Sequence, residues 1–195
     1  MLRLLFRLNR KISKYFNLKH QWFKLLVLRT LYPARFCVGR NLEFGRCFAV
    51  NFDVSDSLVK IGSGVQFRDY CQIIAGLNGR LNIGDNVFFN SFCSITCFEY
   101  ISIGDNCQFG EGVKFYDHNH QYKDDINKLI SEQGYTKEMI RIGKNCWFGS
   151  DVIILKGIEI GDNVVIGAGC IIYKSIPSNS VVCNDQKLII SNYKG

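Results

Sequence analysis

Residues 83–120 read IGDNVFFNSFCSITCFEYISIGDNCQFGEGVKFYDHNH and divide into six-residue units. Each unit opens on a large apolar residue: Ile83, Phe89 and Ile95, then, past Ile101-Ser102, Ile103, Phe109 and Phe115. Its fifth place is small or apolar, as at Val87, Cys93, Cys107 and Val113. Self-similarity at this period is the mark of a parallel β-helix. One short extended segment cannot bury its apolar side chain alone. Three of them make a triangular coil, and stacked coils hydrogen-bond at about 4.8 Å spacing. The apolar residues then form an internal column held by the neighbours above and below.

The phase extends both ways. Upstream lie Ile61, Phe67 and Ile73; downstream lie Ile142, Phe148 and Ile154, then Ile160, Ile166 and Ile172. Coils are expected over 61–78, 83–100, 103–120, 142–159 and 160–177, with a degenerate capping coil over 37–60. Leu77 takes a fifth place in the first of these. Where successive coils differ by two or four residues, small bulges at the corners should absorb the extras. Gly after the apolar residue tolerates a tight corner, and Asp-Asn suits the turn that follows. The alternative is an ordinary sandwich with evenly spaced strands, which does not require so many units in one phase.

Nine cysteines are present, and five of them (Cys71, Cys93, Cys107, Cys146, Cys170) occupy fifth places. There they act as small hydrophobes, which points to reduced thiols and a cytoplasmic setting. The net charge of +7 is unevenly spread. Residues 1–40 hold ten Lys and Arg and no Asp or Glu, so the rest of the chain is slightly acidic. Residues 1–36 repeat apolar residues at helical spacing with a basic opposite face, and Pro33 closes the segment. Either this segment lies on an anionic membrane surface through residues 1–30, or it packs on the end of the prism or on a partner subunit. Its apolar runs are too short to span a bilayer. Nucleic acid is a poor partner, since the prism offers no basic face.

Residues 121–139 break the repeat with a polar, charged stretch, expected to be a protruding functional loop. It begins directly after Asp117-His118-Asn119-His120, which holds two of the chain's three histidines. A neutral imidazole is the natural general base for a hydroxyl nucleophile. Residues 184–195 form a tail.

The stretch 60–180 resembles the hexapeptide-repeat acyltransferases, in the branch of xenobiotic, galactoside and maltose acetyltransferases and polysaccharide O-acetyltransferases. The resemblance is carried by Ile83-Gly84-Asp85-Asn86, by the histidine-rich turn, and by Ile142-Gly143-Lys144-Asn145-Cys146-Trp147-Phe148-Gly149-Ser150. The run Ile160-Gly161-Asp162-Asn163-Val164-Val165-Ile166-Gly167-Ala168-Gly169 carries it most specifically. It implies an all-β, left-handed parallel β-helix, an exception to the right-handed rule for parallel crossovers. It also implies a homotrimer with sites between adjacent prisms, and acetyl-coenzyme A as acyl donor with no metal required.

By motif position His118 matches the catalytic base, with His120 and Asn90 as acceptor-binding residues. Trp147, Ser150, Gly167 and Ala168 match the lining of the pantetheine channel. Lys174 and Lys187 are the candidates for the coenzyme phosphates, whose charge needs a cation. The family's usual Gly- and Pro-containing C-terminal stretch is replaced here by Val182-Cys183-Asn184-Asp185-Gln186-Lys187. The expected activity is acetyl transfer to a sugar hydroxyl of a bacterial surface polysaccharide or its precursor, in the cytoplasm and peripherally at the inner face of the plasma membrane. The alternatives are N-acetyl transfer to an amino sugar nucleotide, a zinc enzyme of the γ-carbonic anhydrase kind, which needs three gathered histidines, and a β-helix that serves only as a binding or assembly surface.

Overall fold

The computed structural model describes residues 23–52 and 56–185. The chain winds as a parallel β-solenoid. The first coil is β1 (Phe36–Val38), β2 (Glu43–Phe44) and β3 (Ala49–Phe52); the second is β4 (Leu58–Ile61), β5 (Gln66–Phe67) and β6 (Gln72–Ala75). The third is β7 (Arg80–Ile83), β8 (Phe88–Phe89) and β9 (Ser94–Cys97), and the fourth is β10 (Tyr100–Ile103), β11 (Gln108–Phe109) and β12 (Lys114–Tyr116). A hairpin of β13 (His118–His120) and β14 (Tyr135–Lys137) then leaves the solenoid. The fifth coil is β15 (Ile140–Ile142), β16 (Trp147–Phe148) and β17 (Ile153–Ile154); the sixth is β18 (Glu159–Ile160), β19 (Val165–Ile166) and β20 (Ile171–Ile172). A last strand, β21 (Val181–Val182), starts another turn.

The first, second and third strands of successive coils stack into three parallel sheets, here faces A, B and C. The register keeps the apolar column in line. On face B, Phe44, Phe67, Phe89, Phe109, Phe148 and Ile166 sit one above another. Their rings stack inside the prism, with centroids 4.6 Å apart for Phe67 and Phe89 and 4.8 Å for Phe89 and Phe109. Faces A and C contribute matching columns, Val38 to Ile160 and Val50 to Ile172. The five fifth-place cysteines are all buried, and all nine cysteines are free thiols.

The corners are not equivalent. From face A to face B the step between column residues is six residues in every coil, as in Ile61 to Phe67 or Ile142 to Phe148. From B to C it is also always six, as in Phe89 to Ile95. All the irregularity lies at the third corner, from C back to A. There Ile73 leads to Ile83, Ile95 to Ile103, and Phe115 to Ile142 across the hairpin. The extra residues, expected as small bulges at corners, do fall at a corner, always this one, but they lengthen strands and loops there rather than bulge. Leu77, expected inside, is part of such an insertion and is exposed with a positive φ of 49°.

At the A–B corner, Asn41, Asn86, Asn106, Asn145, Asn163 and Asn179 take the left-handed conformation, which Asn tolerates better than most side chains. Their carboxamides form a ladder, with Asn145 donating to Asn163 at 2.8 Å and Asn163 to Asn179 at 3.0 Å. Beside them, Asp85, Asp105 and Asp162 each accept the backbone N–H of the coil before.

Residues 23–31 are helical. Leu28 is buried, and Leu25 and Tyr32 pack on the same core, so the described part of the basic segment caps the open end of coil one. Capping of this kind is what the exposed end of a solenoid needs. Phe23 and Leu26 remain exposed on the other side. Among the described residues no helix is long and apolar enough to cross a membrane. Residues 1–22, with most of the basic segment, lie outside the described residues, as does Lys187.

Candidate active site

The site is built at the C–A corner of the fourth coil. Phe115 keeps the column, Tyr116 ends β12, and Asp117 turns the chain out of the prism. The Asp117 side chain is fully buried, where a carboxylate is tolerated only with its oxygens satisfied. It accepts the backbone N–H of Phe98 at 2.9 Å and that of Glu99 at 2.8 Å, both from the corner one coil earlier. Its Oδ1 lies 3.3 Å from His118 Nδ1. Burial first, then the Asp117 charge, pushes the nearby Cys97 thiol above its ordinary range, so this thiol stays protonated beside the carboxylate.

His118 is thus held on three sides. Its ring stacks on Phe98 with centroids 4.0 Å apart and meets Tyr135 edge-on at 5.4 Å. Tyr116 approaches edge-on at 6.3 Å. With Nδ1–H given to Asp117, the lone pair sits on Nε2, the tautomer a general base requires. That proton position follows from the hydrogen-bond pattern.

The break at 121–139 is more ordered than a loop. β13 and β14 pair antiparallel, His118 opposite Lys137 and His120 opposite Tyr135, and a short 3-10 turn covers Ile130–Glu132. Lys137 ties the hairpin base to the prism through the Phe98 carbonyl and the Glu99 carboxylate, and Glu138 N–H donates to the Asp117 carbonyl. Glu138 also pairs with Lys156 of the next coil. His120 is exposed, its ring 4.7 Å from Tyr135. Sequence reasoning named His118 and His120 but missed Asp117, Phe98 and Tyr135. Only the Asp immediately before His118 was a visible signal.

The other candidates fall on a different edge. Asn90, Ser150, Gly167 and Ala168 all follow strands of face B and line the B–C corner. Trp147 faces outward on face B, half exposed. Asn90 Oδ1 accepts the Ser91 N–H at 2.9 Å, and its NH2 makes no hydrogen bond among the described residues. Gly149 must stay without a side chain: a Cβ there would meet the backbone of Ala168 at 2.5 Å. Lys174 lies on the C–A edge with His118, its ammonium 5.7 Å from the Tyr173 ring. Within one chain, then, His118, His120 and Lys174 stand on one border of face C. Asn90, Ser150, Gly167 and Ala168 stand on the other.

Residues 139–174 match the hexapeptide repeat of succinyl-transferase. The chain is 37% identical over 156 residues to a galactoside O-acetyltransferase of Escherichia coli (strain K12), covering 76% of this chain and 74% of that protein. It is 31% identical over 173 residues to a probable acetyltransferase of Mycobacterium tuberculosis, Rv3034c, covering 88% of this chain but only 56% of the relative. The chain therefore spans little more than half the length of that second protein. Among solved structures, AntD, an N-acyltransferase from Bacillus cereus, superposes with a TM-score of 0.64 at 17% identity, over 85% of this chain and 89% of that one. The hexapeptide-repeat acetyltransferase VCA0836 from Vibrio cholerae gives 0.54 at 18%, over 89% and 79%. Those two share the winding, whereas the galactoside O-acetyltransferase is 37% identical along about three quarters of both chains: the chain belongs to the hexapeptide-repeat acyltransferase family.

Proposed function

We propose that the protein transfers an acetyl group from acetyl-coenzyme A to a hydroxyl of a sugar in a bacterial surface polysaccharide or its precursor. The carrying observation is His118, whose Nδ1 faces the buried, hydrogen-bonded carboxylate of Asp117 while its ring is clamped by Phe98. Nε2 takes the proton of the acceptor hydroxyl as that oxygen attacks the thioester carbonyl. The carbon–sulfur bond then breaks, and the imidazolium returns the proton to the departing coenzyme A sulfur. Asp117 steadies the imidazolium while it exists.

The donor lies along the B–C edge, where the small Ala168 follows Gly167 and a side chain added at Gly169 would meet nothing within 4 Å, which suits a thin pantetheine arm. The solved AntD and VCA0836 structures hold coenzyme A and acetyl-coenzyme A respectively. Because the donor edge and the His118 edge border face C from opposite sides, a complete site forms where one copy's His118 meets a neighbour's B–C edge. Face C suits that contact. Its outward residues include Ile74, Thr96, Tyr116, Ile153 and Ile171 with Lys114 as the one charge on its strands, whereas face A carries Lys60, Arg80, Arg141 and Glu159. Heterologous contacts of this kind can close into a ring, and the ring proposed here is a homotrimer. The protein works in the cytoplasm, with the basic N-terminal segment bringing it to the inner membrane face.

The test is a panel of labelled-acetyl transfers with sugar-hydroxyl acceptors beside amino sugar nucleotides. Label on oxygen that is removed by mild base supports the proposal. Label only on amino sugars, as amide, would move the assignment to N-acyl transfer, the activity in AntD's name.

A further inference from the structure

The solenoid strands carry four basic residues. Three of them, Lys60, Arg80 and Arg141, are exposed on face A, and Lys114 stands on face C. Beyond residue 40 the chain is slightly acidic in sum, so the expectation that the prism has no basic face is corrected for face A. Register brings these cations together. Lys60, Asn82, Ser102 and Arg141 sit one above another in coils two to five. Arg80 stands beside that column, level with Tyr100 of the next coil. The Asn82 carboxamide donates to the Tyr100 hydroxyl at 3.1 Å, and the Arg141 guanidinium lies 6.0 Å from the Tyr100 ring centroid.

The carboxylates around this patch are engaged elsewhere. Glu99 pairs with Lys137 at 3.1 Å and Asp105 with Lys144 at 3.1 Å, and Asp85 accepts the Ser63 N–H. Glu159 approaches from coil six, 3.9 Å from Arg141. The side chains of Lys60 and Arg80 make no hydrogen bond or ion pair among the described residues. Like charges gathered on one face add nothing to folding, and they focus a positive potential. Beside Lys60 and Asn82 the face is hollowed into a shallow groove of about 440 Å³, which Gly39, Gly62 and Gly84 also line.

The position of His118 says what reaches this face. Its edge borders faces C and A. In the arrangement proposed above a neighbouring copy covers face C, so a saccharide whose hydroxyl meets His118 extends over face A. The way there is direct: Tyr100 begins β10 two residues after Phe98, on which the His118 ring stacks. A neutral glycan has no use for unpaired cations; a glycan bearing carboxylates or phosphates does.

We propose that face A binds an anionic acceptor saccharide. Arg80, Arg141 and Lys60 meet its carboxylate or phosphate groups, and Asn82, Ser102 and Tyr100 meet its hydroxyls. The proposal deepens the acetyl-transfer reading and rests on it for the ligand being the acceptor. It implies an acceptor longer than one sugar residue, because Lys60 and Arg141 stand three coils apart, about 14 Å at the usual strand spacing.

The test sets the full chain beside the triple variant Lys60→Gln, Arg80→Gln and Arg141→Gln. Both keep the basic segment 1–40, so their difference reports face A. The probes, followed by titration calorimetry, are oligogalacturonate for carboxylates, a phosphorylated maltooligosaccharide for phosphates, and the uncharged counterpart of each. The wild type should bind at least one anionic probe roughly tenfold more tightly than its uncharged counterpart, and less so at raised salt. The triple variant should lose that preference, and Glu159→Gln should strengthen it. Coenzyme A binding and the melting temperature should stay at the wild-type values throughout. No preference for either anionic probe in the wild type overturns the proposal, as does a preference that survives in the triple variant. So does binding to phosphatidylglycerol vesicles that falls with the triple change while saccharide binding does not, which makes face A a lipid surface. Anionic-saccharide binding that depends on the three cations, in a protein that neither binds acetyl-coenzyme A nor transfers acetyl groups, leaves face A standing and removes the acyltransferase reading. Acetyl transfer indifferent to acceptor charge and to the triple change does the reverse.

Discussion

The B–C and C–A edges border the same face and are built on opposite terms. Along B–C the chain advances six residues at every coil, and the edge is a ladder of equivalent positions. Along C–A no two of the first four crossings share a length, and the hairpin β13–β14 leaves from it. The regular edge can be varied only by side chain: small at Gly112 and Gly169, aromatic at Tyr70 and Phe92. The irregular edge can be varied by backbone. It is there that a carboxylate is buried, two N–H groups of the preceding coil are turned onto it, and an imidazole is clamped. A solenoid tolerates insertions at a corner because each coil is held by its neighbours on the other two faces. One edge therefore carries the buried carboxylate and the clamped imidazole, while the other keeps a ladder of equivalent positions.

Four changes sharpen that contrast. His118→Ala should lower acetyl transfer by about 10²–10⁴-fold while coenzyme A still raises the melting temperature. Turnover within a few-fold of wild type would show that the irregular edge is not catalytic. Phe109→Ala acts on the regular column instead: a buried ring stacked between Phe89 and Phe148 is lost, and denaturant unfolding should show a loss of about 3–5 kcal/mol. Asp117→Ala lies between the two. It leaves the Phe98 and Glu99 N–H groups without their acceptor, for about 1–3 kcal/mol of stability, and it should lower kcat more than it raises either KM.

The smallest effect belongs to the A–B ladder. The Asp85 backbone N–H, then the Lys144 ammonium, holds the Asp105 carboxyl below the usual carboxylate range. A depressed folded value means that its contribution is present above the unfolded value of about 3.9 and is lost as pH falls through the lower folded value. Asp105→Asn should therefore melt on the order of one degree lower at pH 7 and level with wild type in stronger acid.

The columns were legible because burial repeats with the chain: Ile83, Phe89 and Ile95 announce three faces, and Ile103, Phe109 and Phe115 repeat them. His118 was legible because it stands at the end of the phase. What holds it was not. Asp117 and His118 are sequence neighbours, which on a regular strand point to opposite sides; only the departure from β12 turns both to one place. Phe98 and Tyr135 reach His118 across a corner whose steps are not six and from a stretch without repeat, so no spacing rule brings them together. The exposure of Leu77 has the same origin. The separation of Asn90 from His118 onto two edges, by contrast, follows from their positions after face B and face C strands.

The central claim is that these two edges, from different copies, make one site. The direct measurement mixes His118→Ala with Ala168→Trp after joint unfolding and refolding, and follows acetyl transfer. Each variant alone should be inactive. Random mixing leaves an intact His118 beside an intact Ala168 edge at about one site in four, so activity should return to roughly that fraction of wild type. A mixture as inactive as its parents would place both edges of the site in a single chain and contradict the account.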